Sequence, residues 1–458
     1  MKSFLPLLSA LLLLAGCATD RPTASAPAAA AAASTAAHFA LPATNDGLAG
    51  TGPVRRYDWF QKLWQERRTK WATQVQQDQH AIVFLGDSIT QGWGDNLGGS
   101  FPSLKVANRG ISGDTTRGVL LRLQEDVLSL NPSGVVLLIG TNDLEEKAEP
   151  WSTASNVRLI VDALRAHNPA LPVILCAVMP SSEVKKRPAY KIKRINLLVR
   201  EAMKDEPQVT VLDTWTLFAN AQGDANAEEF PDLLHPNAAG YAKWAAALRP
   251  VLATLGFLDT EPDNFTPEPG FTSLFNGRDL TGWGYRPTTP ADLESAKHWQ
   301  ASDPDAADWP AVKEAVSFDG KTASPDGRYV AKNGRLIVTT PPQFRNIQKL
   351  WTTREFPKNF VLKLEFRATP NTDSGIFIRD PQLQCRDYLL AGPYTKLEHY
   401  RPQDWNEIEI TVKDNLAHCT CNGELLEDAL PVPADGPLGL EGDRGQMEYR
   451  RIRIQELP

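Results

Sequence analysis

The sequence predicts a doubly wound parallel α/β domain followed by an all-β sandwich, and three observations carry that expectation. In the first half, short β-branched apolar runs at 82–85, 135–139, 173–178 and 209–212 alternate with amphipathic stretches. Such runs suit parallel strands buried on both faces. In the second half, runs at 335–339, 360–368, 375–379, 407–413 and 449–455 alternate or are β-rich, with Gly, Asn, Asp and Pro between them. That texture belongs to an antiparallel sandwich. Finally, 458 residues exceed one ordinary core, and the Pro- and acid-rich segment 259–270 offers a linker between two.

At the start of the chain, Lys2 precedes an apolar run, 4–16, that is too short to span a bilayer. Leu14-Ala15-Gly16-Cys17 follows and resembles a bacterial lipobox, which implies Cys17 as the lipidated residue and 1–17 as a signal segment. Ala18 after the Cys leans towards the outer membrane. The expectation is an exported protein, in the periplasm or on the outer membrane, that touches a bacterial membrane through its lipid alone. Residues 18–54 are rich in Ala, Pro and Ser without apolar periodicity, which predicts a disordered tether.

The first domain is expected over 55–258. Trp59, Leu63, Trp64 and Trp71 sit at helical spacing, which predicts an amphipathic helix across 55–80. Stretches 154–166 and 190–204 supply crossover helices. In such a sheet, ligands collect at the carboxyl ends of strands. The formal net charge of −7 supplies no basic surface for phosphates, which excludes nucleic acid as a partner.

Four cysteines follow Cys17. Cys176 lies within an apolar run and reads as a buried thiol. Cys419 and Cys421 share one face of a strand, so Cys385 could form a disulfide with either once the chain is exported. A lone Cys-Thr-Cys lacks zinc-ligand spacing, so no metal or other cofactor is expected.

The chemistry concentrates at strand ends. The run 81–85 leads into Gly86-Asp87-Ser88, which exposes Ser88 at the start of a helix with its N–H free to meet an anion. In Asn108-Arg109-Gly110, Gly110 permits close backbone approach and a second N–H donor. Gly140-Thr141-Asn142-Asp143 places the Asn142 amide as a third. Donors aimed at a tetrahedral oxyanion are typically worth ~3 kcal/mol each. A serine needs an adjacent base. Of seven histidines, His38 falls in the tether, His298, His399 and His418 beyond the linker, and His80 and His167 on polar helical edges. His235 remains, and Asp232 is one turn away to orient it.

These blocks, in this order, resemble the SGNH (GDSL-like) hydrolase family, whose sheet is flavodoxin-like. The resemblance implies a serine esterase with Ser88 as nucleophile, His235 as general base and Asp232 as orienting acid. It also implies an oxyanion hole made by Ser88, Gly110 and Asn142. The version here is most similar to the branch of platelet-activating-factor acetylhydrolase-type and carbohydrate acetylesterase members.

The second domain, 271–458, opens with Leu274-Phe275-Asn276-Gly277 and, six residues on, Trp283. With Ser374-Gly375-Ile376, Trp405-Asn406-Glu407 and Gly436 to Gly442, it resembles the 3-keto-disaccharide hydrolase family, a concanavalin- or laminin-G-like sandwich. That resemblance implies either a domain cleaving oxidised glycosides or a module holding carbohydrate. Tyr394, Tyr400 and Trp405 are candidates to stack on sugar, and Arg379, Asp380 and Glu398 to hydrogen-bond it. The reading is an esterase for O-acyl, chiefly O-acetyl, groups of carbohydrates. Its alternatives are a lysophospholipase-like lipid esterase, and a surface carbohydrate-binding protein whose main activity lies in the second domain.

Overall fold

A computed structural model describes residues 38–302, 310–342, 345–387 and 393–458. The lipobox with Cys17 and most of the expected tether lie outside these residues.

The first domain is built as β1 (Ile82–Gly86), β2 (Val106–Gly110), β3 (Gly134–Leu138), β4 (Val173–Cys176) and β5 (Val209–Leu212), all parallel in the order β2-β1-β3-β4-β5. Its helices are α1 (Asp58–Ala72), α2 (Ser88–Gly92), α3 (Thr116–Asp126), α4 (Thr141–Glu145), α5 (Pro150–His167), α6 (Ala189–Met203), α7 (Thr214–Phe218) and α8 (Ala238–Thr254). Every residue of β1, β3 and β4 is buried, as continuous apolar runs require when helices cover both faces. The strand order reverses between β1 and β3, which opens a crevice at their carboxyl ends.

The helix expected across 55–80 ends at Ala72, and turns fill the remainder to His80. Phe60, Trp64, Arg68 and Trp71 form its buried stripe, and burying each large aromatic contributes roughly 2–3 kcal/mol. Arg68 also pairs with Asp126 at 3.0 Å and lies over the Phe39 ring. Residues 38–54, expected as part of the tether, are instead packed on the domain. Phe39 and Val54 are buried, and the Arg117 guanidinium donates to the carbonyls of Asn45, Leu48, Ala49 and Gly52. One buried cation thereby satisfies a segment with no sheet or helix partner of its own.

The second domain is a sandwich. Its strands are β6 (Thr272–Ser273), β7 (Trp283–Tyr285), β8 (Val316–Ser317), β9 (Tyr329–Lys332), β10 (Arg335–Val338), β11 (Gln348–Thr352), β12 (Phe360–Ala368), β13 (Asp373–Ile378), β14 (Gln382–Arg386), β15 (Asn406–Lys413), β16 (Leu416–Cys421), β17 (Glu424–Pro431), β18 (Leu438–Gly442) and β19 (Met447–Glu456). One sheet runs β17-β16-β15-β12-β19-β10-β9 with β6 beside β19, and the other β14-β13-β18-β11-β7-β8. Alternating residues such as Phe360, Leu362, Leu364 and Phe366 fill the space between them. A helix, α9 (Pro290–Ser302), stands between β7 and β8.

The disulfide expected for Cys385 is not formed. Cys385 extends from β14 in one sheet, and Cys419 and Cys421 from β16 in the other, and all are buried free thiols in the shared core. Burial pushes Cys419 and Cys421 up to about 12, which starves them of the thiolate that disulfide exchange needs.

The domains are tied together. Asp259, Asp263 and Glu268 of the linker pair with Arg367, Arg451 and Arg453 at 3.1, 2.9 and 2.6 Å. Lys332 Nζ donates to Thr254 O, and Gln446 Nε2 to Pro250 O and Thr254 Oγ1, so the second domain caps the carboxyl end of α8.

Candidate active site

Ser88 is the first residue of α2, directly past β1, and Asp87 caps that helix by accepting from the Ile89 N–H at 2.9 Å. The Ser88 N–H is one of the helix-start donors without an intrahelical acceptor. Burial pushes the Asp87 carboxyl up to about 6, against that hydrogen bond and the nearby His235.

His235 reaches Ser88 from the loop before α8. Its Nε2 stands 2.9 Å from Ser88 Oγ and its Nδ1 2.8 Å from Asp232 Oδ2. Asp232 Oδ1 accepts the N–H groups of His235 and Leu234 at 2.7 and 3.0 Å. The turn needs Leu233 in the left-handed region at φ 62°, a strained setting for a branched side chain. Ser181 Oγ donates to the Leu233 carbonyl and holds it there. Partial burial of Asp232 opposes ionisation, but the bonds from His235 and Leu234 outweigh it and bring the carboxyl down to about 2. An ionised Asp232 on Nδ1 fixes the tautomer in which Nε2 accepts from the serine hydroxyl.

The expected donor Gly110 is not at the site. Its N–H is spent on Asn108 Oδ1 at 2.9 Å, and a Cβ there would come within 2.3 Å of the Gln91 nitrogen. Gly110 is required so that β2 can approach α2. The glycine that lines the cavity beside Ser88 and Asn142 is Gly113, at φ 87°. The sequence carried a signal for it, since Gly113 follows only three residues after Gly110, the last residue of β2.

Asn142 stands at the carboxyl end of β3, across the crevice from Ser88. Its Nδ2 donates to Asp114 O at 2.9 Å, leaving one amide hydrogen for the cavity. The amide is oriented by Arg187, whose Nη2 donates to Asn142 Oδ1 at 2.9 Å and whose Nε donates to Thr141 O. Arg187 and Arg55 share Glu145, at 2.9 and 2.7 Å, and Arg55 also pairs with Glu146. Sequence reasoning missed Arg187, because a single arginine in a polar turn carries no spacing signal. Below the site, fully buried Arg122 joins Asp114 Oδ2 to the carbonyls of Gly86 and Arg109 and so locks the ends of β1 and β2.

The cavity over these groups has a volume of about 430 Å³. Arg55, Trp59, Ser112, Glu145, Val184, Lys185, Lys186 and Leu234 complete its wall. The arrangement can deprotonate a hydroxyl nucleophile and hold an oxyanion beside it.

In the second domain the expected sugar-binding residues do not form one site. Arg379 is buried and donates to the Pro433 and Lys358 carbonyls, a structural role. Tyr394 is buried in the core and donates to Gln384 O, and Tyr400 donates to buried Asp387. Trp405 is clamped between Arg367 and Arg450 on the other sheet, whereas Asp380 and Glu398 are exposed on separate turns. The outward side of β13, β14 and β18 instead carries a polar cluster. Gln382 donates to Glu441, Arg345 grips Asp443, and Arg386 pairs with Asp373. Burial, then repulsion from Asp443 and Asp373, pushes Glu441 up to about 8.

Comparison with known proteins follows this division. Residues 84–243 match the GDSL-like lipase/acylhydrolase family, and residues 270–455 match the 3-keto-alpha-glucoside-1,2-lyase-like domain. The chain is 28% identical over 199 residues to platelet-activating factor acetylhydrolase IB subunit alpha2 of Homo sapiens, covering 42% of this chain and 84% of that protein. Subunit alpha1 of Bos taurus is likewise 28% identical over 199 residues, covering 42% and 83%. A GDSL-like lipase from Bacteroides thetaiotaomicron of known structure is 26% identical, covers 41% of this chain and 97% of its own, and superposes with a TM-score of 0.37.

Proposed function

Because residues 84–243 match the GDSL-like lipase/acylhydrolase family and residues 270–455 match the 3-keto-alpha-glucoside-1,2-lyase-like domain, we propose that this ester-bond hydrolase removes O-acyl groups, chiefly O-acetyl, from carbohydrates through Ser88, His235 and Asp232. The observation that carries this reading is the continuous chain Ser88 Oγ, His235 Nε2, His235 Nδ1, Asp232 Oδ2 at the mouth of an open cavity.

In the reaction, Ser88 Oγ forms a bond to the acyl carbon as His235 takes its proton. The ester C–O bond then breaks, and His235 passes the proton to the departing alcohol. Water attacks the acyl-enzyme with His235 again as base, which releases the carboxylic acid and restores the serine. The oxyanion is met by the Ser88 and Gly113 N–H groups and by Asn142 Nδ2, with Gly113 taking the part first assigned to Gly110. Asp232 stays ionised and steadies the imidazolium.

The carbohydrate preference draws support from the cavity wall. Trp59, 52% exposed, offers a flat face beside Ser88, with Tyr57 stacked against it. Of the lining residues, only Trp59, Val184 and Leu234 are large apolar ones, which gives a long lipid chain little to bury against. The partner is therefore a saccharide ester. Export and a Cys17 lipid anchor complete the proposal, and they place the enzyme where extracellular polysaccharide fragments arrive.

The test compares acetate release from an acetylated xylan with fatty-acid release from a lysophospholipid. The reading requires release from the xylan that Ser88→Ala abolishes. Turnover of the lipid alone would replace it with a lipid esterase.

A second reading concerns the other domain, which we propose cleaves oxidised glycosides. The polar cluster on the outward side of β13, β14 and β18 favours it, where Gln382 donates to Glu441 and Arg386 pairs with Asp373. Glu441→Gln should abolish cleavage of a 3-keto-glycoside and leave ester hydrolysis intact.

A further inference from the structure

The mouth of the Ser88 cavity is cationic in a chain whose formal net charge is −7. Arg55, Lys185, Lys186 and Arg187 line it against one carboxylate, Glu145. The two arginines are discharged by Glu145 and Glu146. Lys186 is not. Lys185 Nζ lies 3.9 Å from Asp232 Oδ2, and Lys186 has no ion pair among the described residues.

Both lysines stand on a tight turn. The N–H groups of Lys185 and Arg187 donate to Ser182 O, and that of Lys186 donates to Glu183 O. The turn sets Lys186 at φ 61°, a left-handed conformation that costs a side-chain-bearing residue roughly 1–2 kcal/mol. Strain at a cavity rim directs attention to what the strained residue presents.

The turn also marks which half of an ester it faces. His235 hands its proton to the departing alcohol, so the alcohol half lies towards His235 and Asp232. Ser181 and Lys185 tie the turn to that same side, through the Leu233 carbonyl and the Asp232 carboxylate. An anionic group met by Lys185 and Lys186 therefore belongs to the alcohol, not to the acyl group. On the cavity wall, the edge of the Trp59 ring lies against Gly113, where an added Cβ would come within 2.6 Å of it. A ring-shaped alcohol fits between the two walls.

Resting on the sugar-esterase reading above, we propose that the substrate is an O-acylated acidic saccharide, whose carboxylate is held by Lys185 and Lys186 while its ring lies on Trp59. The lysines select the substrate and Ser88 cleaves it.

The experiment measures kcat/KM of the full chain on acetylated polygalacturonate, acetylated neutral xylan and an anionic lysophospholipid. The acidic polysaccharide should be preferred by roughly tenfold at low ionic strength, with the preference falling as salt screens it. Lys186→Glu should remove the preference through KM, and Lys186→Arg, which keeps the charge, should retain it. Equal kcat/KM on the two polysaccharides, or a preference that Lys186→Glu leaves in place, would overturn the proposal. A higher value on the lysophospholipid would overturn it in favour of a lipid phosphate. Absence of any Ser88-dependent ester hydrolysis, nitrophenyl acetate included, would sink the esterase reading itself and this proposal with it.

Discussion

Arg187 donates from Nη2 to Asn142 Oδ1 at 2.9 Å, and this bond decides that Asn142 turns its NH₂ group, not its carbonyl, towards Ser88. A buried cation thus sets the polarity of a donor that must be aimed before any charge develops.

Arg187→Lys keeps a positive charge opposite Glu145 but loses the fork that binds Asn142. It should lower kcat by about 10- to 100-fold with little change in KM, whereas Asn142→Ala should cost about 10²- to 10³-fold. In the double variant the losses should not add, because one acts through the other. Additive losses would assign Arg187 a purely structural role.

Gly110 and Gly113 should answer differently to alanine. At Gly110 the new methyl meets the Gln91 nitrogen and the Asp87 carbonyl, both backbone, so Gly110→Ala should lower stability by about 1–3 kcal/mol in urea titration. At Gly113 the nearest atoms are the ends of the Trp59 and Arg55 side chains, which can move. Gly113→Ala should cost only the left-handed backbone, about 1 kcal/mol, and should register mainly in kcat/KM.

The carboxyl of Asp232 lies at about 2, below its ordinary 3.8. Its support for the imidazole is therefore complete above the ordinary value and is lost only as pH falls through about 2. Loss of activity at milder acidity cannot arise from Asp232. Asp232→Asn should reduce kcat/KM by about 10⁴-fold at neutral pH, because the carboxylate that orients and steadies the imidazole is gone. A loss of tenfold or less would show that Asp232 does not orient the base.

Much of this was readable in the chain, for physical reasons. The parallel strands announced themselves because burial on both faces demands apolar runs, and Ser88, Asn142, Asp232 and His235 stood out as candidates because strand ends and one-turn spacings are local. Three things were not local. Gly113 was passed over for Gly110 because loop direction decides which N–H faces the cavity. Arg187 acts across 45 residues on Asn142, a separation that leaves no periodic trace. Residues 38–54 read as tether because their order comes from Arg117 and Arg68, not from their own apolar content. In the second domain, Tyr394 and Arg379 looked like ligand contacts but serve the core, as aromatics and arginines in a sandwich commonly do.

The two domains should unfold together. Gln446 and Lys332 satisfy the carbonyl end of α8, and the linker carboxylates are held by three arginines. Gln446→Ala combined with Lys332→Ala leaves buried carbonyls unmet, at about 1–3 kcal/mol each. Calorimetry should show one transition for the native chain and two for the double variant. Two transitions in the native chain would mean that the domains fold independently.

The central claim is that Ser88 carries the acyl group. Its most direct test is intact-mass and peptide analysis of the full chain quenched during turnover of nitrophenyl acetate, alongside Ser88→Ala. The account predicts one acetyl adduct, on the peptide containing Ser88, and neither adduct nor turnover in the variant. An adduct on another residue, or undiminished turnover by Ser88→Ala, would contradict it.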